Sequence, residues 1–583
     1  MEKITKNEKT NFIIFIISVI ITLIFMCVFI TQKNGWHEDE IFSYGSSNYK
    51  YDNLFCTFAE KDSLNQVMDE KINDKNPIKM IQNIAYYIMH QSEFSEALGE
   101  KMNNETPIWK TKEQAKDYVT VSSDEILSYW PVYYNQSRDV HPPLFYMAVH
   151  FVSSIALNQF SKYIIFAINL FFYIGTCFAI RNIMKLFGKD NLSWIVVLLY
   201  GLSMGGISTV IFQRMYMMVT FFALIYLYLT IKICKNNFEF DKKTKRNLVL
   251  TIILGFLTQY YFCIYVVLLA IVVAVTMIKK KKYTELKQYI WCHIKAALIG
   301  IIIFPASIYH IFFSYRGAAG GVVDTSYIER LIEYIGLVFY AFSIPKVLGY
   351  IIIVAMFLLL IFKLVKTKNK TMTLIISVPV ILFILIVAKI APFVNIRYIS
   401  LTIPIICIAA VASGANIIRY VVDNVLKVKY ASANKNEKNL EKSRVVLKYV
   451  GVVTLTIITI GISTYGLVTN EPQFLYKSYS KRIEIAEKYK ELKLVYVGQS
   501  YFNHLQDMEE FLRYNKTLIT NTWNLEVLKD NEGLDNEKEF ILNVKCWISD
   551  YDENLEKILE YTGAKDYELL LDDGESRVYK VQR

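Results

Sequence analysis

What most constrains this chain is a series of long apolar runs, nearly free of charge, that recur from residue 12 to residue 468. Each is about the length that crosses a ~30 Å hydrocarbon core as a helix. The chain is 54% hydrophobic, which agrees with a polytopic membrane protein and argues against a large soluble enzyme. The first run, 12–30, is longer than the apolar stretch of a usual leader, and no small-x-small cleavage site precedes Gly35. It reads as a retained first span.

The net charge of +11 does not call for a nucleic-acid partner, because of where it sits. Positive charge concentrates in short segments between apolar runs, such as KICKNNFEFDKKTKR (232–246) and KKKKYTELK (279–287). That is the pattern of cytoplasmic loops. The eight cysteines are scattered without a CxxC, so neither a disulfide framework nor a thiolate metal site is indicated.

Counting outward from the basic loops gives an orientation. The basic amino terminus lies inside, 12–30 runs outward, and 31–162 forms a first external loop. Within that loop 144–160 is apolar but interrupted by His150. As a crossing it would reverse the charge of every later loop, so it is expected to lie in the outer interface. Run 248–278 is basic at both ends, which implies a hairpin of two short spans with TQYYF (258–262) at its outer tip. With 163–180, 193–212, 216–231, 296–313, 347–364, 372–388, 399–418 and 449–468, the total is about eleven spans. The transmembrane domain is then 1–469. The tail, 470–583, is charged and mixed in period, and reads as a small extracytoplasmic α/β domain with strands at KLVYVGQ, EFILNVKCWI and RVYKVQ.

This orientation puts four polar features on the outer face: EDE (38–40), RDVHPPLFY (138–146), QRMY (213–216) and NIRY (395–398). On its own an acidic triplet is an ordinary solvated helix end. A carboxylate at a membrane exit is also what sugar transfer needs in a general base, since an acceptor hydroxyl loses its proton as it attacks. The Pro pair of DVHPPL fixes an extended turn that opens a helix, and Asp139 and His141 precede it. Arg214 and Arg397 stand on the side that basic residues avoid, and a guanidinium fork suits a phosphate.

Taken together, Asp39-Glu40, DVHPPL (139–144), Arg214-Met215-Tyr216 and Arg397-Tyr398 resemble the GT-C glycosyltransferases, in the branch of protein O-mannosyltransferases and aminoarabinose transferases. The resemblance covers roughly residues 10 to 420. It implies a GT-C-like membrane fold, a polyprenyl-phosphate-linked sugar donor, transfer with inversion at the external face of a cell membrane, and an envelope acceptor of unspecified kind. By position it makes Asp39 the base and Glu40 its support or an ion ligand. Arg214, Tyr216, Arg397 and Tyr398 become donor-phosphate residues, and Asp139, His141 and Gln259 shape the site. Relatives often carry His where this chain has Gln259, and Gln is no strong transition-metal ligand. No cofactor is assigned, and a divalent metal is left open. Loop 314–330, with Gly317, Gly320 and Gly321, is a candidate lid.

The alternative is a transporter or flippase of lipid-linked saccharides. That function predicts ionisable residues at span centres or paired broken helices. Here charge gathers at span ends, which favours surface chemistry.

Overall fold

Eight helices among the described residues are long and apolar enough to cross a bilayer, from Glu8–Thr31 to Val445–Thr469. The structure is a computed structural model and describes residues 6–50, 55, 67, 70–72, 74, 76–90, 92–94, 96–97, 109–312, 326–352, 354, 371–431, 437–499, 503–529 and 531–583. The chain is a polytopic helical membrane protein with a small mixed sheet in its tail. It divides into two compact units.

The first unit comprises residues 1–29, 169–303 and 320–473 and holds most of the long helices. Two helix pairs in it are sharply bent, and counting each as one span raises the total to ten. Ser193–Gly201 and Met204–Ile211 meet at a break where Ser203 caps the second helix, its hydroxyl accepting from the Gly206 N–H at 3.0 Å. That side-chain bond replaces a main-chain partner, so the helix restarts in a new direction, bent by 68°. Gly201 sits where a Cβ would lie 2.1 Å from the Tyr173 hydroxyl of the helix Lys162–Leu186, so only glycine lets that helix approach here.

The hairpin expected over 248–278 is present as Lys242–Phe256 and Tyr261–Lys279. Its first arm has 15 residues, ~22 Å at 1.5 Å per residue, short of a full crossing. Reaching the expected eleven spans requires counting this arm. The span expected from 296 begins earlier, in the helix Tyr283–Ile303, and breaks before Pro305. Midway along it, His293 Nε2 meets the Tyr226 hydroxyl at 2.8 Å. Most of the run 347–364 and most of the candidate lid, with Gly317, Gly320 and Gly321, lie outside the described residues. The lid's last residues begin the helix Tyr327–Ala341.

The second unit joins residues 30–168, 304–319 and 474–583, so the division by contacts does not follow the 469/470 boundary. The reason is a six-stranded sheet. Its strands are β1 (Trp109–Thr111), β2 (Leu494–Gly498), β3 (Lys516–Asn521), β4 (Glu539–Lys545), β5 (Asp566–Asp572) and β6 (Ser576–Gln582), in the order β1-β3-β2-β4-β6-β5. Strands β3, β2 and β4 run parallel, flanked by antiparallel β1 on one side and β6 and β5 on the other. Strand β1 belongs to the first loop, with Trp109 opposite Leu518. Val495, Leu518, Leu542, Val544 and Val581 form the sheet's core. The loop helix Leu144–Ile155 has 12 residues, ~18 Å long, and is too short to span.

Candidate functional site

The EDE triplet opens a buried helix, Glu38–Asn48, and its three acids have different surroundings. His37 is the cap: its Nδ1 accepts from the Asp39 N–H at 3.1 Å, while Glu40 Oε2 accepts from the His37 N–H at 2.8 Å. This reciprocal pair is a capping box with imidazole in place of a hydroxyl. Glu40 is fully buried, and the same oxygen is 2.8 Å from Lys33 Nζ. Burial lowers the Lys33 pKa, and the Glu40 charge opposes that shift. Glu38 is the most exposed of the three. The Asp39 carboxylate lies between these extremes, its Oδ2 3.7 Å from the His37 ring nitrogen.

The rest of this helix is pinned from several sides. Asn135 donates to the Tyr49 carbonyl at 2.7 Å, Asn48 to the Val119 carbonyl at 2.9 Å, and His150 Nδ1 pairs with the Ser47 carbonyl at 2.8 Å. Asn135 and His150 come from the elements either side of DVHPPL. The helix Tyr129–Arg138 ends at Asp139, and Pro143 opens Leu144–Ile155. In the turn between them, His141 Nδ1 stands 2.6 Å from Asp139 Oδ2 and both residues are largely covered. His310 Nε2 pairs with the nearby Ser137 carbonyl at 3.3 Å. One compact unit therefore brings Asp39, Glu40, Asp139 and His141 into a common scaffold.

The first unit assembles the arginine and tyrosine residues. Asn169 donates to the Val210 and Phe212 carbonyls, both at 2.9 Å, and so fixes the turn that carries the buried Arg214. Arg397 lies on the 3-10 segment Ile396–Thr402, capped by Asn395. Its Nη2 is 3.2 Å from the Tyr398 hydroxyl, and its guanidinium lies 5.6 Å from the Phe212 ring centre. Tyr216 stacks on Phe212 at 5.8 Å and meets Tyr398 edge-on at 6.2 Å. The two arginine-tyrosine motifs, 181 residues apart from Tyr216 to Arg397, thus meet around Phe212. The Tyr261 ring lies tilted against Tyr398, centroids 5.3 Å apart, which brings in the hairpin tip. Gln259 accepts from the Tyr260 N–H at 2.7 Å through its own side chain, a turn-forming contact.

Sequence reasoning missed Arg330, Tyr334 and Lys33. Arg330 Nε donates to the Ala388 carbonyl at 2.9 Å, Tyr334 donates to the Phe393 carbonyl at 2.9 Å, and together they hold the turn before NIRY. Neither pairing has a local sequence signal. Lys33 looks like a span-end anchor until its burial is seen. Among the described residues no group of three or more His, Cys, Asp or Glu side chains gathers into a cation cage.

The chain matches no protein-family model and no curated protein. Among solved structures it is similar to ArnT from Cupriavidus metallidurans bound to undecaprenyl phosphate, at 10% identity and a TM-score of 0.47 over 75% of this chain and 87% of that one. It is also similar to the apo state of that ArnT, at 11% identity and a TM-score of 0.43 over the same shares.

Proposed function

We propose that this chain is a GT-C-type glycosyltransferase that takes a sugar from a polyprenyl-phosphate donor and attaches it to an envelope acceptor at the external membrane face. The amino terminus is cytoplasmic and the tail domain extracytoplasmic in this reading. The observation that carries it is the division of labour within the acidic triplet. Glu40 is taken up by Lys33 and the helix cap, while Asp39 stands at the start of a rigid helix in the same compact unit as the Asp139–His141 turn.

The reaction is a single displacement. The acceptor hydroxyl attacks the anomeric carbon as Asp39 removes its proton, and a new glycosidic C–O bond forms. The bond from that carbon to the phosphate oxygen breaks, its electron pair stays on the polyprenyl phosphate, and the configuration inverts. Arg214 and Arg397, with Tyr216 and Tyr398, bind the phosphate and stabilise the charge that develops on it. Asp139, His141 and Gln259 shape the site. Mass spectrometry of envelope glycans from cells with and without the protein tests the class of reaction. A sugar modification that vanishes with the gene supports it; identical glycan profiles oppose it.

A further inference from the structure

The lead-in to Asp39 is a short extended segment, 33–37, between the first long helix and Glu38–Asn48. Residues 441 positions away grip it. Lys33 Nζ donates to the Phe474 carbonyl at 2.7 Å as well as to Glu40, and the Asn34 N–H donates to the Leu475 carbonyl at 2.9 Å. The Trp36 indole N–H donates to Glu509 Oε2 at 2.9 Å. Gly35 has no room for a side chain, since a Cβ there would lie 2.5 Å from the Tyr479 ring and 2.8 Å from Tyr476.

The gripping side is itself rigid. Phe474 and Tyr476 have positive φ values of 72° and 47°, a conformation that persists in such residues only where the surroundings enforce it. Tyr479 donates to Glu575 at 2.6 Å, and the Arg482 guanidinium lies 4.1 Å over its ring. Arg482 in turn is fixed to Asp507 at 2.7 Å and to Asp573 at 2.6 and 2.9 Å. A continuous path of packed and ion-paired groups runs from the tail sheet to the helix start that bears Asp39.

We propose that the tail domain is the positioning element for the Asp39 turn, with Lys33 as the positioning residue that ties Glu40, and so the first helical turn, to the Phe474 main chain. The inference rests on the reading of Asp39 as base, and extends it by giving the tail a catalytic purpose. Other charged or titratable groups around the turn include His37 and Glu38 within it, Tyr44 and His150 farther along its packing surface, Lys162 against the Lys33 carbonyl, Tyr476 and Tyr479 against Lys33 and Gly35, and Glu509, Arg482, Asp507 and Glu510 on the tail side of Trp36. The His37 main-chain N–H shares the Glu40 oxygen with the Lys33 ammonium.

The test uses the full chain in proteoliposomes, with polyprenyl-phosphate turnover as readout for Lys33→Met, Lys33→Met/Glu40→Gln, Trp36→Phe and Asp39→Asn. Lys33→Met is expected to lower kcat on the order of 10²-fold with little change in donor KM, the scale of a small misplacement of a reacting group. It also moves the acid limb of the pH profile to higher pH, because Glu40 without its cation disfavours the ionised form of Asp39. The double variant removes that charge and returns the limb to its original place. Trp36→Phe, which loses the bond to Glu509 and trims the ring that packs on Tyr44 and Phe160, lowers kcat several-fold and leaves the limb alone. An unmoved limb and a kcat within twofold in Lys33→Met, alongside an inactive Asp39→Asn, overturn the positioning role and leave the base intact. Turnover in Asp39→Asn overturns both.

Discussion

Replacing Arg482 by Met tests how firmly the tail is held together. The Arg482 side chain is 1% exposed, and its guanidinium joins Asp507 to Asp573. Removing one partner of a buried ion pair costs ~3–5 kcal/mol, because the other charge stays buried. Here the loss falls at the low end of that range. Asp507 keeps Lys545 at 2.5 Å, and Asp573 Oδ1 still accepts from the main-chain N–H groups of Glu575 at 3.0 Å and Ser576 at 2.8 Å. A loss of ~3 kcal/mol is a large part of the ~5–15 kcal/mol that holds a typical domain together. Hydrogen exchange on the full chain in nanodiscs reads it directly: protection of the β4 and β6 amides should fall on the order of 10²-fold. Arg482→Met/Asp573→Asn, which removes the stranded charge as well, should recover most of the loss. Protection within about threefold of the parent in the single variant would refute the claim that this network supports the tail.

Two titrations in the tail set opposing pH dependences. Burial, reinforced by Asp507, pushes the Glu510 carboxyl up to about 8, and burial pushes His504 down to about 3. The folded state binds the extra proton on Glu510, so that contribution is complete below the unfolded carboxyl range and is lost as pH rises toward 8. His504 is buried neutral, so its contribution is present above the unfolded imidazole range and is lost as pH falls toward 3. Tail stability in thermal melts should therefore peak in mildly acidic solution and decline toward pH 8 by up to ~1.4 kcal/mol per pH unit. Glu510→Gln should abolish the alkaline decline, and an unchanged decline would oppose the assignment. Arg397→Ala should weaken binding of the polyprenyl-phosphate donor by ~1.5–3 kcal/mol, the scale of a charge-assisted hydrogen bond, in an equilibrium binding titration. An unaltered affinity in both Arg397→Ala and Arg214→Ala would remove the phosphate assignment.

The apolar runs as membrane-length helices and the hairpin over 248–278 were legible because each depends on local composition, although the helix expected from 296 begins at Tyr283. The 68° bend at Ser203 was not, since a serine hydroxyl capping a helix inside an apolar run looks like one more small residue. Strands β2 and β4 carry apolar runs and β6 mixes apolar with polar residues, and all three stand out in the sequence. Strand β1 is three residues long and exists only through its pairing with β3, while β5 is an edge strand rich in acids and exposed along most of its length. At the candidate site the residue types were readable and their division of labour was not. The capping-box spacing from His37 singles out Glu40, but its burial against the Lys33 ammonium cannot be read from the triplet. The grip on that lysine comes from Phe474, too far along the chain for any pattern to reveal.

Whether a carboxylate at position 39 drives sugar transfer is decided most directly by turnover of a polyprenyl-phosphate sugar in proteoliposomes holding Asp39→Asn, a near-isosteric change that cannot accept the proton. The account predicts donor binding close to that of the parent protein with release of polyprenyl phosphate abolished. Release at the parent rate would contradict it.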